Sequence, residues 1–274
     1  IIFLCGCAAS GNNSSNPDTN SKISDNSKIT DINGNSATLT KDSKIAACYG
    51  SFAECLTLAG LEPVGVTEDA IEDHGLEFSS DTKIVGTVKE INLEQLTQSD
   101  PDYVMLSADL SAHLKLEESL KELGFSYGYF RIDTFSDYKA FMKTLCDISK
   151  RDDLYEENVT KPEKNIENIL AKVPENQSKD FLLMRAYSSG IKAKGDDNLA
   201  GQLLKELGAK NIADSHLSIL EELSIEQIIE DDPEFIFVSF MGSEKAAKEY
   251  LKENFENNPA FASLTAVKNS NYIL

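Results

Sequence analysis

The sequence predicts an α/β protein made of two related lobes, each with a mainly parallel sheet covered by helices. From about residue 44 onward, short apolar runs with strand character alternate with segments of helical spacing. Such alternation is typical of parallel, helix-covered sheets. In addition, a pattern of 17 residues occurs twice, 132 positions apart, without gaps. This repeat indicates two lobes of common architecture.

The first half of the chain shows the clearest alternation. Residues 44–49 (KIAACY) have strand character, Gly50 and Ser51 turn the chain, and a helix is expected over 52–59. The apolar spacing of Phe141, Leu145 and Ile148 predicts a helix over 135–149. By the same criteria, strands are predicted at 64–66, 83–86, 103–107 and 126–132, and helices at 92–99 and 114–123.

The second half resumes the alternation after a long helical stretch over about 153–172, which contains Pro162. A proline inside a helix removes one hydrogen bond and costs about 3 kcal/mol, so the stretch is either one kinked helix or two shorter ones. The remaining strands are predicted at 181–186, 235–239 and 271–274, and the remaining helices at 199–207, 225–230 and 244–255.

The two copies of the repeat cover 91–107 and 223–239. Each has a capping residue, Asn92 or Ser224, followed by a glutamine at the third helical position, as in a capping box. Each has a glutamate in the first turn, Glu94 or Glu226, where the helix dipole favours a carboxylate. Unrelated β/α units can converge on such a pattern, but its length favours two related lobes.

The amino-terminal end of the sequence predicts export and lipid anchoring. Residues 1–7 (IIFLCGC) resemble a signal-peptide remnant ending in a bacterial lipobox, with Cys7 as the lipidated residue. Ser, Asn, Asp and Thr dominate residues 8–43, where we expect a disordered tether, because such a segment buries too little apolar surface to offset its ordering entropy. The alternative, that residues 1–7 end a buried strand, fits this polar segment badly. We therefore expect an extracytoplasmic protein, anchored to the cell membrane by a lipid on Cys7.

Composition narrows the classes of partner. The chain has 26 Lys and Arg against 46 Asp and Glu, a net charge of −20, which argues against a nucleic-acid partner. Past the lipobox, Cys48, Cys55 and Cys146 are odd in number and cannot form a complete disulfide framework. Cys48 and Cys55 would pair only if the fold brought them together. All three are expected to be small, buried apolar residues.

The motifs that would signal metal or catalytic chemistry are missing from the sequence. The three histidines are scattered and the cysteine spacings match no zinc pattern, so no dedicated metal site is predicted. We find no nucleophile elbow, P-loop, dinucleotide fingerprint or zincin motif, and we name no catalytic residue. Asp196 and Asp197 form an adjacent acidic pair, but acids before a helix are more often N-capping residues.

Several segments, in order, resemble the iron-complex and cobalamin substrate-binding proteins of ABC importers. The segments are 44–60 (KIAACYGSFAECLTLAG), 64–69 (VGVTED), 130–138 (FRIDTFSDY), 184–195 (MRAYSSGIKAKG) and 196–207 (DDNLAGQLLKEL), with the two glutamate-bearing helices of the repeat. The resemblance covers nearly the whole chain after the tether. It implies a class III substrate-binding protein, in which a single long helix joins two Rossmann-like lobes and the ligand lies in the cleft between them.

The resemblance also implies domain limits and a function. The N-terminal lobe would cover 44–150, the connecting helix 151–174 and the C-terminal lobe 175–274, with the C-terminus truncated before the family's final helix. The protein would capture a metal chelate, with a ferric siderophore favoured, and deliver it to an ABC importer as a monomer. Haem or cobalamin is the alternative ligand within this fold. A cleft enzyme and a ligand-free surface adhesin are alternatives of other classes. No cofactor is expected beyond the bound iron chelate.

Two glutamates are candidates for contact with the permease. In the family, one exposed glutamate per lobe docks onto arginines of the membrane permease, and Glu94 and Glu226 match those positions. A pair of surface glutamates favoured only by the helix dipole is the alternative. The repeat favours docking, because it places one carboxylate on a matching helix of each lobe.

The cleft residues are expected in loops after the strands, as in other open α/β sheets. Arg185 is the main candidate for an electrostatic ligand contact, and a salt bridge to a nearby acid is the alternative. Arg131, with Asp133 beside it, is a weaker candidate of the same kind. For haem, Tyr49, Tyr187 and Met241 are possible axial ligands. The predicted ligand-binding residues are Tyr49, Ser51, Asp109, Arg185, Tyr187 and Met241.

Overall fold

Two separate five-stranded sheets form the centres of two lobes. The computed structural model describes residues 27–173 and 178–274. Within these ranges, no helix is both long enough and apolar enough to cross a membrane. Residues 1–26, which include the proposed lipidation site Cys7, lie outside the described part of the chain.

The N-terminal lobe contains nine strands and six helices among the described residues. The strands are β1 (Ser27–Thr30), β2 (Ser36–Leu39), β3 (Ile45–Ala47), β4 (Gly65–Val66), β5 (Lys83–Ile84), β6 (Gly86–Thr87), β7 (Glu90–Ile91), β8 (Tyr103–Ser107) and β9 (Tyr127–Phe130). The helices are α1 (Gly50–Leu58), α2 (Asp69–Glu72), α3 (Leu93–Gln98), α4 (Ser111–Leu114), α5 (Glu117–Glu122) and α6 (Phe135–Ser149). The predicted helix over 114–123 is therefore two shorter helices.

The central sheet of this lobe has the strand order β5-β4-β3-β8-β9, and every neighbouring pair is parallel. On one face, Ile45 and Met105 pack with residues of α1 and α6, including Leu56 and Leu145. On the other face, Leu106 belongs to a second buried cluster. The sheet is thus covered on both faces, which is why its strands read as continuous apolar runs.

The C-terminal lobe repeats this plan with one antiparallel addition. Its strands are β10 (Asp180–Tyr187), β11 (Gly190–Ala193), β12 (Lys210–Asn211), β13 (Phe235–Phe240) and β14 (Tyr272–Ile273). Its helices are α9 (Leu199–Glu206), α10 (Leu217–Glu222), α11 (Ile225–Asp231), α12 (Glu244–Leu251) and α13 (Thr265–Lys268), and the labels α7 and α8 belong to the linker between the lobes. The strand order is β11-β10-β13-β14, with β12 also paired to β10. Only β11 is antiparallel among these strands, and sequence reasoning missed it.

One continuous helical run joins the lobes. It consists of α7 (Asp152–Tyr155), a π-helical turn (Glu156–Thr160) and α8 (Lys161–Leu170). Pro162 lies in the first turn of α8, directly after the wide turn. The helical run therefore continues through Pro162, with one π-helical turn as the local distortion. It does not break into two separate helices.

The first half of this linker is docked on the N-terminal lobe. Val159 is fully buried in that lobe's core. The Asn158 side chain donates to the Leu58 carbonyl at 3.0 Å, and Tyr138 donates to the Asn158 carbonyl at 3.1 Å. These contacts fix the start of the linker against α1 and α6.

The two lobes share the local geometry that the repeat predicted. β3 pairs with β8 as Ile45 with Tyr103, and β10 pairs with β13 as Phe181 with Phe235, so the paired strands occupy matching registers. The acidic residue before each repeat proline adopts a left-handed conformation, with φ of 49° at Asp100 and 40° at Asp232. Such a φ is uncommon outside glycine, so its recurrence supports a common architecture.

The N-cap half of the predicted capping box is present in both copies of the repeat. Asn92 accepts from the Gln95 amide at 3.1 Å, and Ser224 accepts from the Gln227 amide at 3.4 Å. The Gln227 side chain donates to Asp231 at 3.3 Å, farther along its own helix. The short helices that carry Glu94 and Glu226 are therefore capped in the same way.

The predicted tether over 8–43 is wrong from residue 27 onward. β1 and β2 form an antiparallel hairpin, and Ile29 and Leu39 are buried in the core of the N-terminal lobe. The Asp31 carboxylate organises the turn by accepting from the amides of Asn33 and Asn35 at 2.9 and 2.8 Å. The prediction failed because the segment is mostly polar, although two of its apolar side chains, Ile29 and Leu39, pack into the same core. The lobe therefore begins no later than residue 27, ahead of the predicted limit at residue 44.

We expect Asp31→Ala to lower the free energy of unfolding by about 2 kcal/mol, because it leaves the buried Tyr129 amide and the two amides of the turn without their acceptor. Asp31 is only 6% exposed, and it also accepts from the Tyr129 amide at 3.2 Å. Chemical denaturation measures the change. Asp42→Ala removes an exposed carboxylate from the same segment and is the control. A loss of stability no larger than that of the control would contradict the structural role of Asp31.

Candidate functional site

A cleft of about 990 Å³ lies between the lobes. Its walls come from the loops at the carboxyl ends of β3, β8 and β9 on one side, and of β10 and β13 on the other, with α1 and α9 contributing side chains. Two other cavities, of about 320 and 370 Å³, are smaller and each involves one lobe or its edge. The position and size of the cleft are those of a ligand site in an open α/β protein.

All six residues predicted to bind ligand line this one cleft. The N-terminal lobe contributes Tyr49, Ser51 and Asp109, and the C-terminal lobe contributes Arg185, Tyr187 and Met241. The parallel strands explain the convergence, because the ends of β3 and β8 meet at one edge of their sheet and those of β10 and β13 meet at one edge of theirs. Contact with a ligand remains a prediction for each of them.

The amino terminus of α1 reaches the cleft but is already occupied by a carboxylate. Asp69 accepts from the Gly50 amide at 2.7 Å. A Cβ on Gly50 would lie 2.6 Å from a ring carbon of His74 and 2.7 Å from the Asp69 carboxylate, so only glycine fits there. Because Asp69 already balances the positive end of the helix dipole, α1 offers little attraction to an anionic ligand.

The walls of the cleft are largely apolar and aromatic. Phe52 contacts Tyr49 and Phe130 edge to face, with ring centroids 5.4 and 6.1 Å apart. Burial, followed by the charge of Asp69, raises the pKa of Tyr49, and burial raises the pKa of Tyr138 to about 12. Both hydroxyls are therefore protonated at neutral pH. The tyrosines supply flat surfaces with one hydrogen-bonding group each.

Arg185 is half-buried in the cleft without a carboxylate partner in the described parts of the chain. Among residues 27–173 and 178–274, the salt bridge considered as the alternative for Arg185 is not formed. Its Nε donates only a long 3.5 Å hydrogen bond to Ser239, whose hydroxyl donates to the Met184 carbonyl at 3.3 Å. The guanidinium therefore keeps most of its donors available for a ligand.

The other two cations of the cleft are already paired. Arg131 donates to Asp109 at 2.6 Å and lies 3.8 Å from Asp133. Lys194 lies 3.3 Å from Asp197. The sequence indicated the link from Arg131 to Asp133 but missed the shorter one to Asp109, because residues 22 positions apart meet only where β8 and β9 end side by side.

The acidic pair Asp196 and Asp197 plays a different part from the predicted one. The N-cap of α9 is Asn198, whose side chain accepts from the Gly201 amide at 3.2 Å. Asp196 pairs with Lys205, and Asp197 lines the cleft. The expectation that these acids cap the helix is therefore wrong. Asn198 is the N-cap because it is the residue directly before the first turn of α9.

The model of the periplasmic binding protein family matches residues 45–274. The chain belongs to the periplasmic binding protein family. Proteins of this family act outside the cytoplasm and bind a solute in place of transforming it, so the protein is a binding protein and not an enzyme. The match includes both lobes and the whole lining of the cleft.

Three similar proteins are named for an iron compound or solved with one bound. A Fe(3+)-citrate-binding protein of Bacillus subtilis, YfmC, is 25% identical over 272 residues, which cover 98% of this chain and 83% of the relative. The triscatecholate siderophore binding protein FeuA of Bacillus subtilis, solved with ferri-bacillibactin, superposes with a TM-score of 0.68 at 21% identity, over 90% of this chain and 88% of that one. IsdE of Staphylococcus aureus, solved with heme, superposes with a TM-score of 0.65 at 17% identity, over 85% and 90%. These superpositions confirm the predicted two-lobed fold.

Glu94 and Glu226 occupy equivalent exposed positions in this periplasmic binding protein. Each lies in the first turn of a capped helix, α3 or α11, that precedes the central strand β8 or β13. Each helix is the last element before the central strand of its lobe, so the two carboxylates hold matching places in the two lobes. Glu94 accepts one hydrogen bond from Gln98, at 3.3 Å.

His74 and His113 are held by hydrogen bonds within the N-terminal lobe. His113 is fully buried and bridges the Ser107 amide and the Val88 carbonyl, each at 2.9 Å. His74 pairs with Glu54 at 2.8 Å. Residues 27–173 and 178–274 contain no group of three or more His, Cys, Asp or Glu side chains placed to hold a bare metal ion.

The three cysteines Cys48, Cys55 and Cys146 are free and buried, as the sequence predicted. Cys55 forms part of the cleft wall, and burial raises its pKa to about 12. It therefore contributes a neutral thiol to the lining of the cleft.

Proposed function

We propose that this protein captures a ferric siderophore in the cleft between its lobes and delivers it to an ABC importer. The observation that carries the proposal is the half-buried, unpaired Arg185 in a large cleft with aromatic walls. A guanidinium can grip carboxylate, hydroxamate or catecholate oxygens with two parallel hydrogen bonds. The iron-compound ligands of the related proteins support the same chemistry.

The size and lining of the cleft fit a bulky chelate better than a bare ion. About 990 Å³ lies at the upper end of the range for small-molecule sites. Tyr49 and Tyr187 line the cleft from opposite lobes, so that one ligand can contact both rings. Binding would draw the lobes together by a small rotation that the linker limits.

Tyrosine fluorescence offers a direct test, because the chain has nine tyrosines and no tryptophan. The purified protein is titrated with ferric siderophores, ferric citrate, haem and cobalamin, and the iron-free siderophore is the matched control. A binder should also raise the melting temperature, since ligand at 100 times its Kd adds about 2.7 kcal/mol of stability. If none of these compounds binds, the proposal fails.

Haem is the second candidate, because Tyr49, Tyr187 and Met241 all line the cleft and each is a possible axial ligand. The haem-bound relative IsdE supports the comparison. Binding of haem with no binding of any ferric siderophore would replace the ligand and keep the receptor. A shift of the Soret absorption band on mixing would report that outcome.

Delivery requires a partner in the membrane, and we assign its contact to Glu94 and Glu226. Both side chains are exposed and lie in the first turn of matching helices on the two lobes. They form a two-point acidic contact suited to a basic surface. Because the two carboxylates lie on different lobes, their separation changes when the cleft closes, so the same contact can report whether ligand is bound.

We expect Cys7→Ala to release the protein from cells, because the proposal places the membrane anchor on the lipid of that cysteine. Alanine has no sulfur to which the lipid could be attached. Cell fractionation with immunoblotting measures the distribution between membrane and soluble fractions, and Cys5→Ala is the control. Unchanged membrane retention of Cys7→Ala would refute the lipid anchor.

A further inference from the structure

The charged side chains of the cleft come close to cancelling one another. Three cations line it, one of which is Arg185, and four carboxylates line it with them. Lys192 lies opposite Arg185 on the neighbouring strand, but it is exposed and does not line the cleft. Even if Lys192 is counted, the cations only equal the carboxylates in number. The cations are Arg131, Arg185 and Lys194, and the carboxylates are Glu54, Asp109, Asp133 and Asp197.

The acids neutralise the cations locally and not only in sum. Arg131 is held by Asp109 at 2.6 Å, and Lys194 by Asp197 at 3.3 Å. A ligand can break these exposed pairs, which are worth little on their own. It cannot remove their carboxylates, which stay beside the cation and repel an anion. Burial, and after it the charge of Asp109, raises the pKa of Asp133, so negative charge is already crowded at this end of the cleft.

We propose that the cleft selects ferric chelates of low net charge, neutral to singly negative, over highly charged ones. The inference rests on the proposed function and narrows its ligand class. Three hydroxamates each contribute one negative charge and give a neutral ferric complex, whereas three catecholates each contribute two and give a complex of charge 3−. The first needs one donor group such as Arg185. The second needs about three cations, and two of the three here are neutralised.

The test compares a ferric trihydroxamate with a ferric tris(catecholate) by tyrosine quenching of the full chain. We expect the neutral complex to bind at least tenfold more tightly at low salt. The difference should narrow as salt is added, because screening weakens repulsion between the carboxylates and the trianion. Equal or tighter binding of the trianion overturns the charge selection but leaves the proposed function intact. If neither complex binds, and ferric citrate does not bind either, the proposed function itself fails.

A shift in selectivity gives the sharper outcome. Asp109→Asn with Asp197→Asn removes the acids that hold Arg131 and Lys194, and should shift the ratio of the two affinities at least tenfold toward the trianion. Asp73→Asn with Asp152→Asn makes the same change in net charge at exposed positions outside the cleft lining, and is the control. Equal shifts of this ratio in the two double variants would overturn the proposal, because they would trace the effect to overall charge.

Discussion

Replacing Arg185 with alanine is expected to weaken the binding of a ferric chelate by more than tenfold, or about 1.4 kcal/mol. Arg185 is half-buried, and no carboxylate of the described residues pairs with it. A ligand that binds it therefore gains charged hydrogen bonds without first breaking an ion pair. Loss of one partner from such a buried contact leaves the other uncompensated, which is why the expected effect is large. Titrations followed by tyrosine quenching measure it.

Two further variants separate this role from general charge. Lys192→Ala removes the cross-strand neighbour of Arg185, which is exposed and outside the cleft lining, and should change the Kd less than twofold. Arg185→Lys keeps the charge but loses the planar fork, and should recover only part of the affinity. If Arg185→Ala binds within twofold of the original protein, its guanidinium has a structural role.

Reversing both docking charges, by Glu94→Arg with Glu226→Arg, is expected to abolish transport and leave ligand affinity unchanged. The two glutamates are exposed and do not line the cleft, so their loss does not disturb the site. Arginines in their place would face a basic permease surface with like charge, and such a juxtaposition costs several kcal/mol. Uptake of radioactive iron by cells, measured beside the Kd of the purified variant, separates the two effects.

A matched pair of charge reversals controls for the change in net charge. Glu122 and Glu249 are also exposed helix residues, one on each lobe, and lie outside the cleft lining. Glu122→Arg with Glu249→Arg should leave uptake unaltered. Normal transport by the Glu94 and Glu226 variant, or loss of its ligand binding, would contradict the docking assignment.

Much of this fold was predictable because its signals are local. A buried parallel strand reads as a short apolar run, and the repeat over 91–107 and 223–239 located the same unit in both lobes. The cleft residues followed from one rule, that ligands bind beyond the carboxyl ends of such strands. That rule placed Tyr49 and Arg185 in a common cavity although they are far apart in sequence.

The features that escaped prediction depend on contacts between distant residues or on weak patterns. The β1–β2 hairpin shows only two buried side chains, Ile29 and Leu39, within a polar segment, although the Asn33-Gly34 step in its turn is a recognisable hairpin signal. The pairing of Arg131 with Asp109 depends on how closely β8 and β9 lie, which is a tertiary fact. Pattern reasoning found the residues of the cleft but not the balance among their charges.

Within the described ranges 27–173 and 178–274, the two sheets exchange no strand, and each is built from its own stretch of chain on either side of the helical linker. Each lobe therefore has the covalent and hydrogen-bonded connections of an independent folding unit. The ligand cleft, in contrast, needs both lobes, so unfolding of either one destroys it. A bound ligand consequently adds the same free energy to the unfolding of each lobe, and it couples two otherwise separate transitions into one cooperative event.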